Sequence, residues 1–143
     1  MSKRRGWTIR IAKRIAGICG IAVLASCAFD VIHVKQQPVQ IQSDGAKNPF
    51  YLARAETFPL GTGFTRTLRR GTKWDYVGAL AHGGVYRSRD QVFTVEASNI
   101  HEAYLVVSEE TLVGFYLPVE KTYSPLGKPI ALTISPTKPD ETD

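Results

Sequence analysis

Six short runs of β-branched and aromatic residues, separated by turn residues, constrain the fold of this chain more than any other feature. They are Lys73–Leu80 (KWDYVGAL), Val85–Ser88 (VYRS), Gln91–Ala97 (QVFTVEA), Glu102–Ser108 (EAYLVVS), Thr111–Pro118 (TLVGFYLP) and Pro129–Ser135 (PIALTIS). Runs of this length and composition suit a pleated, half-buried surface better than a helix face. Between them, His82-Gly83-Gly84 tolerates the positive φ of a tight hairpin, Arg89-Asp90 and Ser98-Asn99 suit turns, and Glu109-Glu110 reads as a charged hairpin tip. Strand starts recur roughly every 8 to 12 residues, a spacing that predicts a small antiparallel sandwich or barrel. The expected fold is therefore mainly β, with about 5–7 short strands in a single domain over residues 49–135.

Alternation within the runs assigns faces. Phe93, Val95 and Ala97 fall on one side of their run, and Val92, Thr94 and Glu96 on the other. In Thr111–Pro118 both sides are apolar, with Leu112 and Tyr116 facing one way and Val113, Phe115 and Leu117 the other. This predicts a central strand covered on both faces, or one whose outer face meets a partner. Asn99-x-x-Glu102 mimics a helix capping box, but Val106-Val107 and the short length favour a strand. Residues 48–60 fit either a short helix or a strand that closes the domain, ended by Pro59, Gly61 and Gly63.

The chain has 143 residues, 43% apolar and 22% charged, which fits one globular core. Its net charge of +5 is misleading as to partners. Six of the eighteen basic residues (Lys3, Arg4, Arg5, Arg10, Lys13 and Arg14) precede Cys27, where no acidic residue occurs, so twelve basic residues face thirteen acidic ones in the remainder. Nucleic acid is therefore not an expected partner. The two cysteines, Cys19 and Cys27, both lie at the N-terminal end, so no disulfide framework braces the domain, and burial alone must hold it.

Met1–Arg14 is basic and Ile15–Ala25 (IAGICGIAVLA) is apolar for the length of a signal-peptide core, short of the roughly 20 residues that span a bilayer. The run ends in Leu24-Ala25-Ser26-Cys27. This tetrad resembles the lipobox of bacterial lipoproteins, and the resemblance covers only the first 27 residues. It implies cleavage between Ser26 and Cys27 and a diacylglyceryl group on the Cys27 thiol, so that membrane lipid is the first expected partner. Two or more acyl chains hold a soluble domain stably where one does not. Ala28 in place of Asp after the cysteine implies, by the same resemblance, the outer membrane with the domain facing the periplasm; the inner membrane is the alternative. Ordinary cleavage to a secreted protein and an uncleaved signal anchor are competing readings of the same segment.

The domain organisation expected is thus a signal peptide at 1–26, the lipidated cysteine and a polar tether at 27–48, the β domain at 49–135 and a disordered polar tail at 136–143. Within the tether, Val39 and Ile41 alternate with Gln40 and Gln42, so an edge strand packed on the domain competes with a free spacer.

No catalytic motif is present: there is no GxSxG elbow, no HExxH, no phosphate-cradling glycine loop and no paired-histidine metal spacing. His33, His82 and His101 are dispersed, and neither a metal nor a cofactor is expected. Beyond the N-terminal segment, basic charge concentrates at Arg66, Arg69, Arg70 and Lys73, followed by Trp74 and Tyr76, a candidate contact face for anionic headgroups, an acidic polymer or an acidic protein. Phe115, Tyr116, Tyr104, Trp74 and Tyr76 form an alternative candidate, the lining of an apolar barrel mouth. The expectation is a non-enzymatic, lipid-anchored envelope protein that binds a partner protein or envelope polymer. A small periplasmic hydrolase gathering His101, Glu96 and Ser98 is the alternative, as is a small-ligand carrier or sensor.

Overall fold

A computed structural model describes residues 37–97 and 99–140. The signal segment, the cleavage pair Ser26 and Cys27, the first part of the tether, Ser98 and residues 141–143 lie outside the described residues. Among the described residues there are twelve strands and no helix. The first four are β1 (Gln37–Pro38), β2 (Phe50–Leu52), β3 (Glu56–Pro59) and β4 (Thr65–Leu68). Then come β5 (Lys73–Leu80), β6 (Gly83–Ser88), β7 (Thr94–Glu96) and β8 (Ile100–Glu102). The last are β9 (Tyr104–Ser108), β10 (Thr111–Leu117), β11 (Thr122–Ala131) and β12 (Ile134–Ser135). The mainly β, antiparallel fold is as expected. The strand number exceeds 5–7 because several short strands come from segments with weak β composition, and because Glu102–Ser108 divides at Ala103.

Eight strands form one antiparallel sheet in the order β1-β11-β10-β9-β6-β5-β2-β12; β3-β4 and β7-β8 are separate hairpins. Only Leu132 and Thr133 connect β11 to β12, yet β12 pairs with β2 at the far edge, Ile134 opposite Leu52. A two-residue link cannot cross a flat sheet of this width, because strands lie about 4.8 Å apart. The sheet is therefore rolled into an open barrel. Leu132 N–H donates to the Glu110 carbonyl at 2.7 Å and Ala53 N–H to the Thr133 carbonyl at 2.8 Å, which fastens the roll on both sides of the link.

The inner face holds the main core: Phe50, Leu52, Trp74, Leu105, Leu112, Phe115 and Leu117 from the sheet, joined by Phe58 and Leu68 from the β3-β4 hairpin and Phe93 and Val95 beside and on β7. The outer face carries a second cluster of Leu80, Val85, Val106, Tyr116 and Tyr123. Both faces of β9 are thereby buried, which accounts for its unbroken apolar run. Phe93 and Val95 share the inner face as expected, with Val92 exposed.

The face assignment in β10 needs correcting. Leu112 lies inside with Phe115 and Leu117, while Val113 packs outside with Tyr116. A bulge between Leu112 and Gly114 shifts the pairing with β9 and β11 together, and one extra residue exchanges the faces of everything beyond it.

The tether also differs from a free spacer over its described part. Pro38 pairs with Thr122, Val39 N–H donates to the Lys121 carbonyl at 3.0 Å, and Gln42 and Ala79 exchange two main-chain bonds of 2.9 Å. Val39 and Ile41 pack on the outer cluster. Residues 37–42 are thus a strap across the outer face, the edge-strand alternative, laid down because the alternating Val39 and Ile41 cover apolar surface there. Asp44 accepts a hydrogen bond from the Tyr76 hydroxyl, and the Lys47 ammonium lies 5.3 Å from the centre of the Tyr76 ring.

Candidate functional site

The basic residues singled out by sequence do not form one face. Arg66 extends from β4 to β7, where Nε donates to the Thr94 carbonyl at 2.9 Å and a terminal nitrogen meets Glu96 Oε1 at 2.5 Å. Its charge is matched and its role is to tie the two hairpins together. Arg69 is exposed, and with Arg70 and Lys138 it lines a shallow cleft of about 340 Å³ that also contains Asp90. Arg70 donates to the carbonyls of Ala53 and Asp140 at 3.2 and 2.8 Å, so the first part of the tail lies against the domain. Lys73 stands over the Tyr51 ring, 5.3 Å from its centre. Alternation along β4 and β5 and the intervening turn send Arg66 and Lys73 to surroundings of their own and leave Arg69 and Arg70 together at the cleft.

The aromatic barrel mouth is likewise divided. Trp74 and Phe115 are core residues of the inner face, Tyr104 and Tyr116 pack together on the outer face with ring centres 6.1 Å apart, and Tyr76 belongs to the strap contact. Phe115 and Tyr116 are neighbours in β10 and fall on opposite faces by the ordinary alternation of a strand.

Of the residues weighed for hydrolysis, His101 and Glu96 do line one cavity, together with Thr62, Ser124 and apolar residues that include Leu60, Phe115 and Leu117. Each is already engaged. His101 Nδ1 lies 2.5 Å from Glu120 Oε1 of the β10-β11 turn, and Glu96 holds Arg66. The cavity measures about 50 Å³, room for a solvent molecule or a methyl-sized group and far below the roughly 300 Å³ of a small-molecule site. His82 is exposed at the β5-β6 turn, as expected, and its ring stacks on Tyr123 at 4.0 Å. Among the described residues, no group of three or more His, Cys, Asp and Glu is arranged to hold a metal ion.

Two surfaces went unread in the sequence. The first is a groove of about 530 Å³ between β3 and β11, walled by residues 57–61 on one side and 127–130 on the other. β3 pairs only with β4, so its outer edge has no strand beside it. Opposite, β11 departs from β10 between Pro125 and Ile130, where residues 126–129 face the single bulge residue Val113 and form no ladder bonds. Phe58 and Leu60 are buried beneath, and the Phe58 ring stacks on Phe115 with centres 6.1 Å apart. Both walls offer glycines, Gly61 and Gly127, with open space where a side chain would stand. The available signal is Gly127-Lys128-Pro129, where a glycine and a proline interrupt strand pairing.

The second surface is the barrel end around the small cavity, where the β3-β4 tip, β8 and the β10-β11 turn meet. Phe64, Ile100 and Val119 there are 49%, 70% and 77% exposed. Thr62 Oγ1 donates to the Glu96 carbonyl at 2.8 Å, and the His101–Glu120 contact joins the other two elements. Comparison of the chain with protein-family models, with curated proteins and with solved structures finds no match.

Proposed function

We propose that this chain is a lipid-anchored protein of a bacterial envelope, attached through Cys27 to the outer membrane on its periplasmic side, whose β domain takes an extended segment of a partner protein in the β3-β11 groove. The domain has no enzymatic role in this reading. What supports the anchor is the sequence Leu24-Ala25-Ser26-Cys27 after its basic and apolar segments. The observation that carries the binding role is the groove: two facing strand edges without a strand between them, an apolar floor, and glycines that let a backbone approach closely. Free strand edges provide main-chain donors and acceptors to an added strand, and pockets below take alternate side chains. Pro59 and Pro129 remove a donor from each wall, which restricts how an added strand can register.

The test is site-specific photocrosslinking in the producing bacterium. A photoreactive residue at Lys128, in the groove wall, should give an adduct of discrete mass that is absent when it is placed at exposed Arg87 on β6. Gly127→Trp, which fills the groove where the fold leaves open space, should remove the Lys128 adduct while leaving the protein level unchanged. Equal adducts at both positions, or an adduct indifferent to Gly127→Trp, would reject the groove as the binding site.

A further inference from the structure

Among the described residues only four large apolar side chains are exposed, and three of them, Phe64, Ile100 and Val119, stand at one end of the barrel on three separate elements. Apolar side chains scattered singly need no explanation, but convergence at one end does. The charges beside them are arranged for a medium poorer in water. Glu96 is matched by Arg66 and Glu120 by His101, each at 2.5 Å, so the two carboxylates nearest this end already have cationic or hydrogen-bonding partners. The adjoining Lys121 is exposed on the turn that carries Val119, where a long aliphatic stem can lie among acyl chains with its ammonium at the phosphates.

The strap fixes where the tether meets the domain. Gln37 pairs with Tyr123, and Val39 N–H reaches the Lys121 carbonyl at 3.0 Å, two residues from Val119. Nine residues separate Cys27 from Gln37, a span of at most about 36 Å when fully extended. We propose that the end of the barrel bearing Phe64, Ile100 and Val119 seats on the lipid bilayer to which Cys27 tethers the chain, with Lys121 at the headgroups. This rests on the lipid-anchor reading. A tether so short keeps the local concentration of bilayer high, so shallow insertion of three side chains suffices to orient a domain that would not bind membranes alone. The Lys128 wall of the groove, opposite Val113 on β10, is left clear of the seated end and open to a second protein.

The experiment uses the full chain expressed in a bacterial host, checked by intact mass for lipid on Cys27, and reconstituted into phosphatidylethanolamine–phosphatidylglycerol vesicles with brominated acyl chains. Tryptophan is placed singly at Ile100, at Val119 and, as a control, at Glu110, at the opposite end of β10. Trp74 is buried in the core and supplies a constant background. The expected result is a blue shift and at least threefold stronger quenching at positions 100 and 119 than at 110. A lipidated protein with equal quenching at all three positions, or none, overturns the seating and leaves the anchor standing. A protein without lipid on Cys27 overturns both. Adducts from this end to an envelope protein in cells, with no quenching in vesicles, would assign the surface to that protein and overturn the membrane seating.

Discussion

Tyr76 joins the strap to the sheet with one hydroxyl. Burial, the hydrogen bond to Asp44 and the negative charge of that carboxylate together push its pKa from the ordinary 10.0 up to about 12. A phenol with a higher pKa in the fold than in the unfolded chain makes its full contribution to stability below pH 10 and loses it as pH rises towards 12. The strap contact should therefore hold at neutral pH and weaken in that alkaline window. Absorbance titration at 295 nm should show a late phenolate component near pH 12 that Tyr76→Phe removes; an unchanged titration curve would show that Tyr76 is not the group held by Asp44. At this scale the sequence was informative about location and poor about pairing. His82 at a turn followed from its two neighbouring glycines. The pairing of Arg66 with Glu96, thirty positions away, and of His101 with Glu120 depends on hairpins folding back over the barrel, which no local pattern encodes.

The strands were legible where composition was strong. Lys73–Leu80 matches β5, and Thr111–Pro118 differs from β10 only at its last residue. What escaped was the bulge in β10, because one unpaired residue, Val113 beside Gly114, leaves no mark in composition. At Gly114 an added Cβ would lie 2.5 Å from the Ser124 carbonyl and 2.6 Å from the Tyr123 ring, which crosses the sheet above it and donates its hydroxyl to the Val113 carbonyl at 3.0 Å. Backbone on β11 cannot yield without breaking the ladder. Gly114→Ala should therefore cost on the order of 2 kcal/mol, which lowers the melting temperature by roughly 10 °C for a domain of this size. Gly127→Ala, with nothing near its Cβ, should leave it within about 2 °C. Thermal unfolding followed by circular dichroism decides both. The short strands β1, β2 and β12 were missed or only half seen, since two or three residues carry no period and gain their structure from the sheet they border.

At the scale of the molecule, antiparallel β architecture was predictable and the rolled sheet was not, because closure depends on which distant strands pair. The groove arises in the same way, from one unpaired hairpin edge and one bulged strand brought face to face by the roll. Closure has a further consequence, for the order of assembly. β12 lies about eighty residues after its partner β2 along the chain, and is made last of all the strands. Until it has emerged, β2 ends the sheet with an open edge and the inner core lacks Leu132. A chain delivered across a membrane from its N-terminus as it is made would thus arrive unlocked and would complete its barrel only once its last strand had crossed. Pulse proteolysis of chains ending at residue 131 and at residue 140 should find the first cleaved throughout and the second protected, a difference set by the last strand acting as the latch.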